Sequence, residues 1–241
     1  MDYSFTGIAY FFLFCSVLYL ISRFYKYWEK SRDTLSKLFL YFISIINLFF
    51  FLKMIVCLFF VNNPEILEKS IVAGALIQAF AMATIIYAIF YLKIPSLSPW
   101  IGFYFVLFLG TVSAVLTSLI DFNPHLSASG SIDWGIPSEG LFFATSVLRI
   151  FLFLITFLPL LIIFIQQFLK SEDAYVRTKT FGMIAALVFA FVISSLDFFL
   201  IGIFKLDPLW RDINSIILSV ILIISLLASE LICRKNLKSS Q

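Results

Sequence analysis

Long runs of apolar residues, broken by short polar segments, occupy almost the whole chain. Seven runs are each about twenty residues long, and at about 1.5 Å rise per residue such a helix crosses a bilayer core roughly 30 Å thick. The pattern therefore predicts an all-α, polytopic membrane protein whose single domain, residues 1–241, is a seven-transmembrane-helix bundle. The predicted spans cover about 5–22, 38–61, 71–92, 100–120, 141–169, 181–204 and 213–232.

The composition agrees with a multi-pass protein of the cell membrane. Hydrophobic residues make up 62% of the chain and charged residues 13%, against about 45–50% and 25% in soluble domains. A water-soluble fold of this length could not bury so much apolar surface, so the lipid bilayer is an expected partner. The net charge of +3 is too small to indicate nucleic acid binding, which we do not expect.

The positions of lysine and arginine indicate how the bundle is oriented. Twelve of these cations flank one end of the predicted spans, whereas the opposite end has three, Lys69, Lys205 and Arg211. Because cytoplasmic loops carry the excess of Lys and Arg, we expect the N-terminus outside and the C-terminus in the cytoplasm. The twelve are Arg23, Lys26, Lys30, Arg32, Lys37, Lys93, Lys170, Arg177, Lys179, Arg234, Lys235 and Lys238.

One connection is much longer than the others, namely the predicted outer loop 121–140. It is rich in the turn formers Gly, Pro, Ser and Asn. A loop of this length in a compact protein is usually either functional or disordered. Two interpretations stay open: a lid over an outward-facing cavity, built as a small hairpin that carries Trp134, or a plain surface connection.

Four polar side chains fall within the outer half of the predicted spans, and a fifth, Asp121, lies at the outer end of span four. An ionisable residue at membrane depth costs at least roughly 2.5–3.5 kcal/mol, so it usually faces the bundle interior or a wet cavity. One interpretation is structural: the cations pair with the acids and hold the helices together. The other interpretation is a ligand-binding pocket that opens to the outside. The candidate residues are Lys53, Gln78, Asp121, Arg149 and Asp197.

The sequence offers little for catalysis, metal binding or transport. His125 is the single histidine, the three cysteines have no CxxC spacing, and there is no Gly-rich phosphate loop, so we expect no enzyme, catalytic residue, metal or cofactor. A retinal-binding pump would need a lysine in the last span, and residues 213–232 contain none. Glu230 is the one carboxylate in the inner half of the spans, which is too few for a proton path.

Two segments on the cytoplasmic side carry a resemblance to a signalling family. They are RFYKYWEKSRDTLSKLF and KSEDAYVRTKTFGMIAALVFAFVISSLDFF, and in the second Arg177 and Lys179 precede Gly182 of span six. In these patterns and in its layout the chain resembles the seven-helix N-terminal membrane sensor region of bacterial histidine kinases and related signalling proteins. Such regions feed a cytoplasmic output domain, whereas here the tail after span seven is RKNLKSSQ. The resemblance therefore implies either that a signal leaves through a separate partner chain or that the output domain was lost.

Two functions from different classes remain. The first is a receptor-like sensor that binds a small external or membrane-derived ligand in its outer half and shifts its helices, with residues 23–37 as the docking surface for a cytoplasmic signalling protein. The second is an integral subunit of a membrane complex, or a transporter component, without a sensing role. A cavity around Lys53, Arg149 and Asp197 that is open to the outside and closed to the inside would favour the sensor. A continuous polar track to Glu230 would favour transport, and fully packed charges a structural subunit.

Overall fold

The computed structural model describes residues 4–137, 140–196 and 206–239. Over these ranges the chain forms seven helices and one short β-hairpin, which confirms the all-α class. The helices are α1 (Phe5–Ser31), α2 (Thr34–Phe59), α3 (Pro64–Lys93), α4 (Pro99–Thr117), α5 (Leu141–Lys170), α6 (Ala174–Leu196) and α7 (Pro208–Ser239), and the strands are β1 (His125–Leu126) and β2 (Ile132–Asp133).

Six helices in the described part of the chain are long and apolar enough to cross a membrane. They are α1 to α5 and the first part of α7, Pro208–Leu227. This finding agrees with a multi-pass membrane protein. The remaining predicted span, 181–204, begins in α6 and continues into residues outside the described ranges, so the count of seven spans stays a prediction.

Helices α1 and α2 extend beyond their apolar runs on the side of the basic segment that joins them. Helix α1 continues to Ser31 and α2 already begins at Thr34, so most of the predicted basic loop 23–37 is helical. Only Arg32, with a left-handed φ of 51°, and Asp33, whose carboxylate caps the first turn of α2, connect the two helices. An apolar run marks the part of a helix that lipid covers, whereas the helix itself continues until a residue breaks it.

The seven helices form a closed ring in the order of the chain. Each helix packs against the next, and α7 returns to pack against α1. Helix α3 also contacts α5 directly, so the shorter α4 lies on the outside of these two helices. Tyr104, Phe105 and Phe108 of α4 are correspondingly exposed, as side chains in contact with lipid would be.

Aromatic side chains fill the ring toward the end where α1 and α3 finish, which we call the basic end. Phe24, Phe39, Phe42, Phe157 and Phe164 form this packing, which we call the aromatic floor. The ring centres of Phe42 and Phe157 lie 5.7 Å apart, and those of Phe39 and Phe164 lie 5.6 Å apart. Edge-to-face pairs at these distances add to the stability that burial alone supplies.

A β-hairpin occupies the centre of the predicted outer loop 121–140 and defines the hairpin end of the bundle. His125 pairs with Asp133 in its antiparallel ladder. Gly135 follows the second strand with a φ of 59°, a conformation that residues with a Cβ rarely adopt. A Cβ at Gly135 would also lie 2.3 Å from the backbone oxygen of Asn123. The chain therefore needs glycine at this position to return across the hairpin.

Candidate functional site

A cavity of about 330 Å³ lies inside the helical ring, next to the hairpin. Its walls come from α1, α2, α3, α5 and α6, and its volume is at the lower end of the roughly 300–1,000 Å³ of small-molecule pockets. Most of the lining side chains are apolar. The charged and amide side chains in the described lining are Lys53, Gln78 and Arg149, with the hydroxyls of Tyr10 and Ser146 nearby.

Lys53 joins α2, α3 and the hairpin at one point. Its side chain is buried near the end of α2, and its Nζ donates a hydrogen bond to Ser70 Oγ of α3 at 3.1 Å. The same ammonium group lies 4.0 Å from the centre of the Trp134 ring. A cation over an aromatic face is attracted by the negative face of the ring, by about 2 kcal/mol where water is excluded. Trp134 therefore stabilises the buried charge of Lys53.

Arg149 lies on α5 and reaches across to α4. Its Nε donates to Ser113 Oγ at 3.3 Å, and its Nη2 donates to Thr117 Oγ1. The two hydroxyls are one helical turn apart on α4, and both residues are buried. No carboxylate forms an ion pair with Arg149 in the described part of the chain. Its positive charge is thus held at the cavity by neutral acceptors.

Gln78 lies on α3, in the wall of the cavity. Gly74, Ala75 and Ala81 are on the same face of the helix and also line the cavity. Because these side chains are small, α3 leaves open space in front of the Gln78 amide. This amide has no hydrogen-bond partner among the residues that the structure describes, so its N–H and C=O groups are available to a bound molecule.

Asp121 is not part of the cavity lining, and among the described residues it forms no ion pair with Arg149. Helix α4 ends at Thr117, not near residue 120, so Asp121 lies beyond the helix in an irregular segment and is exposed. It is absent from the lining of the cavity, and Arg149 is hydrogen-bonded to hydroxyls within α4 instead. The remaining candidate, Asp197, lies outside the described residues.

The hairpin segment covers the cavity. Phe122 precedes the hairpin, Trp134 and Ile136 follow its second strand, and all three line the cavity. Trp134 is only 5% exposed, although it belongs to a connection between two helices. A plain surface connection would leave such a large side chain in contact with the surroundings. These contacts favour the lid interpretation of residues 121–140.

A second polar cluster, which we call the hairpin anchor, consists of Thr6, Arg211, Asp212 and the backbone of Ile132. Arg211 Nε donates to Asp212 Oδ1 at 2.7 Å, and Arg211 Nη2 donates to the carbonyl oxygen of Ile132 at 3.1 Å and to Thr6 Oγ1 at 3.0 Å. The Thr6 hydroxyl donates to Asp212 Oδ2 at 2.6 Å and accepts the backbone N–H of Ile132 at 2.7 Å. The anchor therefore ties α1, α7 and the hairpin together.

The anchor was not predicted from the sequence. Arg211 was counted only as one of the cations outside the spans, and Asp212 and Thr6 were passed over. Both charged residues are nevertheless almost completely buried, at 3% and 2% exposed. The available signal was the adjacent Arg–Asp pair at the start of the last apolar run, because paired charges at such a position are typical of a buried network.

Two further contacts fix the tip of the hairpin. Ser129 Oγ donates to Asp207 Oδ1 at 2.7 Å, and the backbone N–H of Phe5 donates to the carbonyl oxygen of Gly130 at 2.8 Å. Hydrogen bonds from the backbone N–H of Leu209 and from Ser129 lower the pKa of the Asp207 carboxyl. The tip is thus bound to the starts of both α1 and α7.

The aromatic floor closes the cavity toward the basic end. Phe157 lines the cavity and at the same time packs against Phe42 of the floor. Phe153 stacks on Phe157 with ring centres 3.9 Å apart. Stacked and edge-to-face rings leave little room for water between them. The polar lining residues are therefore separated from the basic end by packed aromatic side chains.

No group of three or more His, Cys, Asp or Glu residues within the described ranges could hold a metal ion. The chemistry of the cavity is that of an apolar chamber with two cations and an amide, which suits a small molecule that has an apolar body and hydrogen-bond acceptors. No family model matches the chain, and no curated protein or solved structure matches it either.

Proposed function

We propose that this protein is a seven-helix, receptor-like sensor of the cell membrane. It binds a small external or membrane-derived ligand in the cavity beside the hairpin and signals through a separate cytoplasmic partner. One observation carries the proposal: the cavity brings Lys53, Gln78 and Arg149 together under Trp134, while the aromatic floor separates them from the basic end. Such an arrangement suits binding from one side better than passage through the bundle.

The proposal includes an outer N-terminus, a cytoplasmic C-terminus and α6 as the seventh span. The distribution of lysine and arginine supports this orientation, because the excess of cations at the basic end belongs in the cytoplasm. The cavity then lies in the outer half of the bundle, and the hairpin faces the outside. A cytoplasmic partner would meet the end of α1, the start of α2 and the segment between α5 and α6.

Helix α5 offers a route from the cavity to the basic end. It carries Arg149 and Phe157 beside the cavity, and Pro159 follows within the same helix. Proline lacks a backbone N–H and clashes with the preceding turn, so a helix bends at that point. A ligand that binds one bend angle more tightly shifts the balance between two packings of the helix. Such a shift would move Phe164, which lies farther along α5, and would thereby change the packing of the aromatic floor.

The alternative is an integral subunit of a membrane complex or a transporter component without a sensing role. A transporter needs a polar route across the bundle, and the packed rings of Phe42 and Phe157 argue against one. A structural subunit needs no cavity, and its polar residues would be fully packed. The cavity is therefore the feature on which the two functions differ.

The test is extraction from the native membrane followed by native mass spectrometry of bound small molecules and of partner chains. We expect the wild-type protein to carry a small molecule that the Arg149→Ala variant loses. Lys93→Ala is the matched control, because Lys93 is an exposed cation at the end of α3. A partner chain bound in equal amounts to all three proteins, with no small molecule in any of them, would favour the structural subunit.

A further inference from the structure

We propose that the ligand is a single-chain amphiphile with an anionic head, such as a medium-chain carboxylate, and that it enters the cavity from the bilayer between α5 and α6. This inference rests on the proposed sensor function and deepens it by naming the class of ligand. Three features carry it: the charge of the polar lining, the shape of the apolar part and the exposure of one wall.

The polar lining selects an anion. Its described charged members are Lys53 and Arg149, both cations, and no described lining residue is a carboxylate. Arg149 keeps donors that its bonds to Ser113 and Thr117 do not use, because guanidinium has five N–H groups. A guanidinium binds a carboxylate or phosphate through paired, charge-assisted hydrogen bonds. The Gln78 amide can donate one more bond to the same head group.

The apolar part of the cavity suits a short hydrocarbon chain. Below Arg149, the wall of α5 continues with Phe153, Leu154 and Phe157, which follow at helical spacing. Ala75 and Ala81 of α3 lie in the lining, and their small side chains leave space for the hydrocarbon chain of the ligand. At roughly 30 Å³ for each water-sized group, a volume of about 330 Å³ holds a molecule of about eleven heavy atoms. A carboxylate of about eight to ten carbons, with its two oxygens counted, is close to this size.

The cavity wall formed by α5 and the described part of α6 includes exposed apolar side chains. Ile150, Leu154 and Phe191 all line the cavity, yet they are 42%, 45% and 44% exposed. A residue of an enclosed cavity would be shielded from the surroundings by its neighbours. At the hairpin end, by contrast, Trp134 is 5% exposed and covers the cavity. The exposed apolar wall is therefore the entrance, and a lipid-soluble chain is the molecule that can use it.

The first experiment tests the head group on the full-length protein in phospholipid nanodiscs. Binding of radiolabelled decanoate is measured by equilibrium filtration, with decyl phosphate and decanol as competitors. We expect decanoate to bind, decanol to compete at least tenfold more weakly, and Arg149→Gln to weaken decanoate binding by about tenfold or more. Arg149→Lys should keep part of the affinity because it keeps the charge. Lys93→Gln, an exposed cation away from the cavity, should bind decanoate like the wild type.

The second experiment tests the entrance. In Leu154→Trp a larger side chain fills the exposed part of the cavity wall, and we expect the association rate of decanoate to fall by about tenfold or more. Leu158→Trp is the matched control, since Leu158 is one turn farther along α5, 51% exposed and absent from the lining. Both substitutions place tryptophan on an exposed apolar face, so folding should tolerate both. Equal association rates for the two variants would overturn entry between α5 and α6.

The remaining outcomes separate the ligand class from the sensor function. Competition by decyl phosphate that is stronger than by decanoate supports the anionic head and assigns it to a phosphate. Decanol that binds as tightly as decanoate overturns the anionic head. If none of these amphiphiles binds, the ligand class is wrong; the sensor function survives only if the protein from native membranes carries another small molecule that Arg149→Ala loses. An empty cavity in that preparation overturns both.

Discussion

Two polar clusters lie at the hairpin end of this bundle, and they are built in opposite ways. In the hairpin anchor, the charge of Arg211 meets a carboxylate within 2.7 Å, and the Thr6 hydroxyl and the backbone of Ile132 complete the network. In the cavity, Arg149 meets two neutral hydroxyls of α4 and open space. Contact with lipid would be unfavourable for both charged side chains. Among the described residues, however, only the anchor places an acid against its arginine.

This difference separates a structural role from a binding role. A buried ion pair whose remaining donors and acceptors are satisfied fixes the elements that contribute to it. A cation beside a cavity whose described partners are neutral keeps attraction for an anion that is not part of the fold. We therefore expect the anchor to determine stability and the cavity cations to determine ligand response.

The largest effect should follow from breaking the anchor with Arg211→Ala. The carboxylate of Asp212 then stays buried without its ion-pair partner, and the free energy of unfolding should fall by about 3–5 kcal/mol. Unfolding is measured by denaturant titration in detergent micelles. Replacing both charges, as in Arg211→Met/Asp212→Leu, should recover most of the loss. If Arg211→Ala had the same free energy of unfolding as Lys93→Ala, the network would not hold the bundle together.

The next effect concerns the hairpin backbone rather than its charges. Gly135→Ala places a Cβ against the Asn123 oxygen at a φ of 59°, and we expect a loss of about 1–3 kcal/mol in local stability. Gly130→Ala is the matched control, since Gly130 also has a positive φ, of 79°, but has open space where the Cβ would lie. Hydrogen exchange of the amides in residues 125–133 measures both. Faster exchange in Gly130→Ala than in Gly135→Ala would contradict the steric argument.

A smaller change in stability is expected at the cavity itself. Arg149→Met removes a half-buried charge, and the hydroxyl of Thr117 keeps its hydrogen bond to the carbonyl oxygen of Ser113 at 2.7 Å. The free energy of unfolding should therefore change by less than about 1 kcal/mol, while the small molecule carried by the wild type is lost. The same denaturant titration and native mass spectrometry measure the two effects. A loss of stability as large as that of Arg211→Ala would make Arg149 structural.

The sequence contained enough to predict the bundle and part of the site. Long apolar runs are stable in contact with lipid, and the backbone of a single segment in lipid must form its own hydrogen bonds. The helices were therefore predictable. The cost of a charge at membrane depth likewise singled out Lys53 and Arg149, which line the cavity together with Gln78. The length and composition of residues 121–140 indicated a feature of its own, and a hairpin with Trp134 beside it lies there.

The rest depends on where helices end and on long-range contacts. Asp121 was assigned to the cluster because an apolar run does not show that α4 already ends at Thr117. Arg211 and Asp212 lie just before the last predicted span. The cost of placing a charge at membrane depth was therefore not considered for them. Their burial results from Thr6 and the hairpin, which are far away in the chain. Such pairings cannot be derived from local periodicity.

The smallest effect should come from an ion pair at the basic end, between Lys179 Nζ and Asp33 Oδ2 at 2.8 Å. Burial alone would raise the pKa of the Asp33 carboxyl, but hydrogen bonds from Lys179, Ser31 and Ser36 outweigh it and hold the pKa well below its usual range. Because the unfolded carboxyl titrates near about pH 3.9, this contribution is present above that pH and is lost as the pH falls further.

Asp33→Asn should therefore remove a part of the acid dependence of stability while the cap of α2 survives, since asparagine also caps helices. The side chains of Lys179 and Asp33 are 15% and 35% exposed, so solvent screens the pair and the loss at neutral pH should stay below about 1 kcal/mol. Unfolding titrations between pH 7 and about pH 3 measure it. Suppose instead that Asp33→Asn lost as much stability as Arg211→Ala. Burial would then not determine how much an ion pair contributes to the stability of this bundle, and the contrast between anchor and cavity would lose its physical basis.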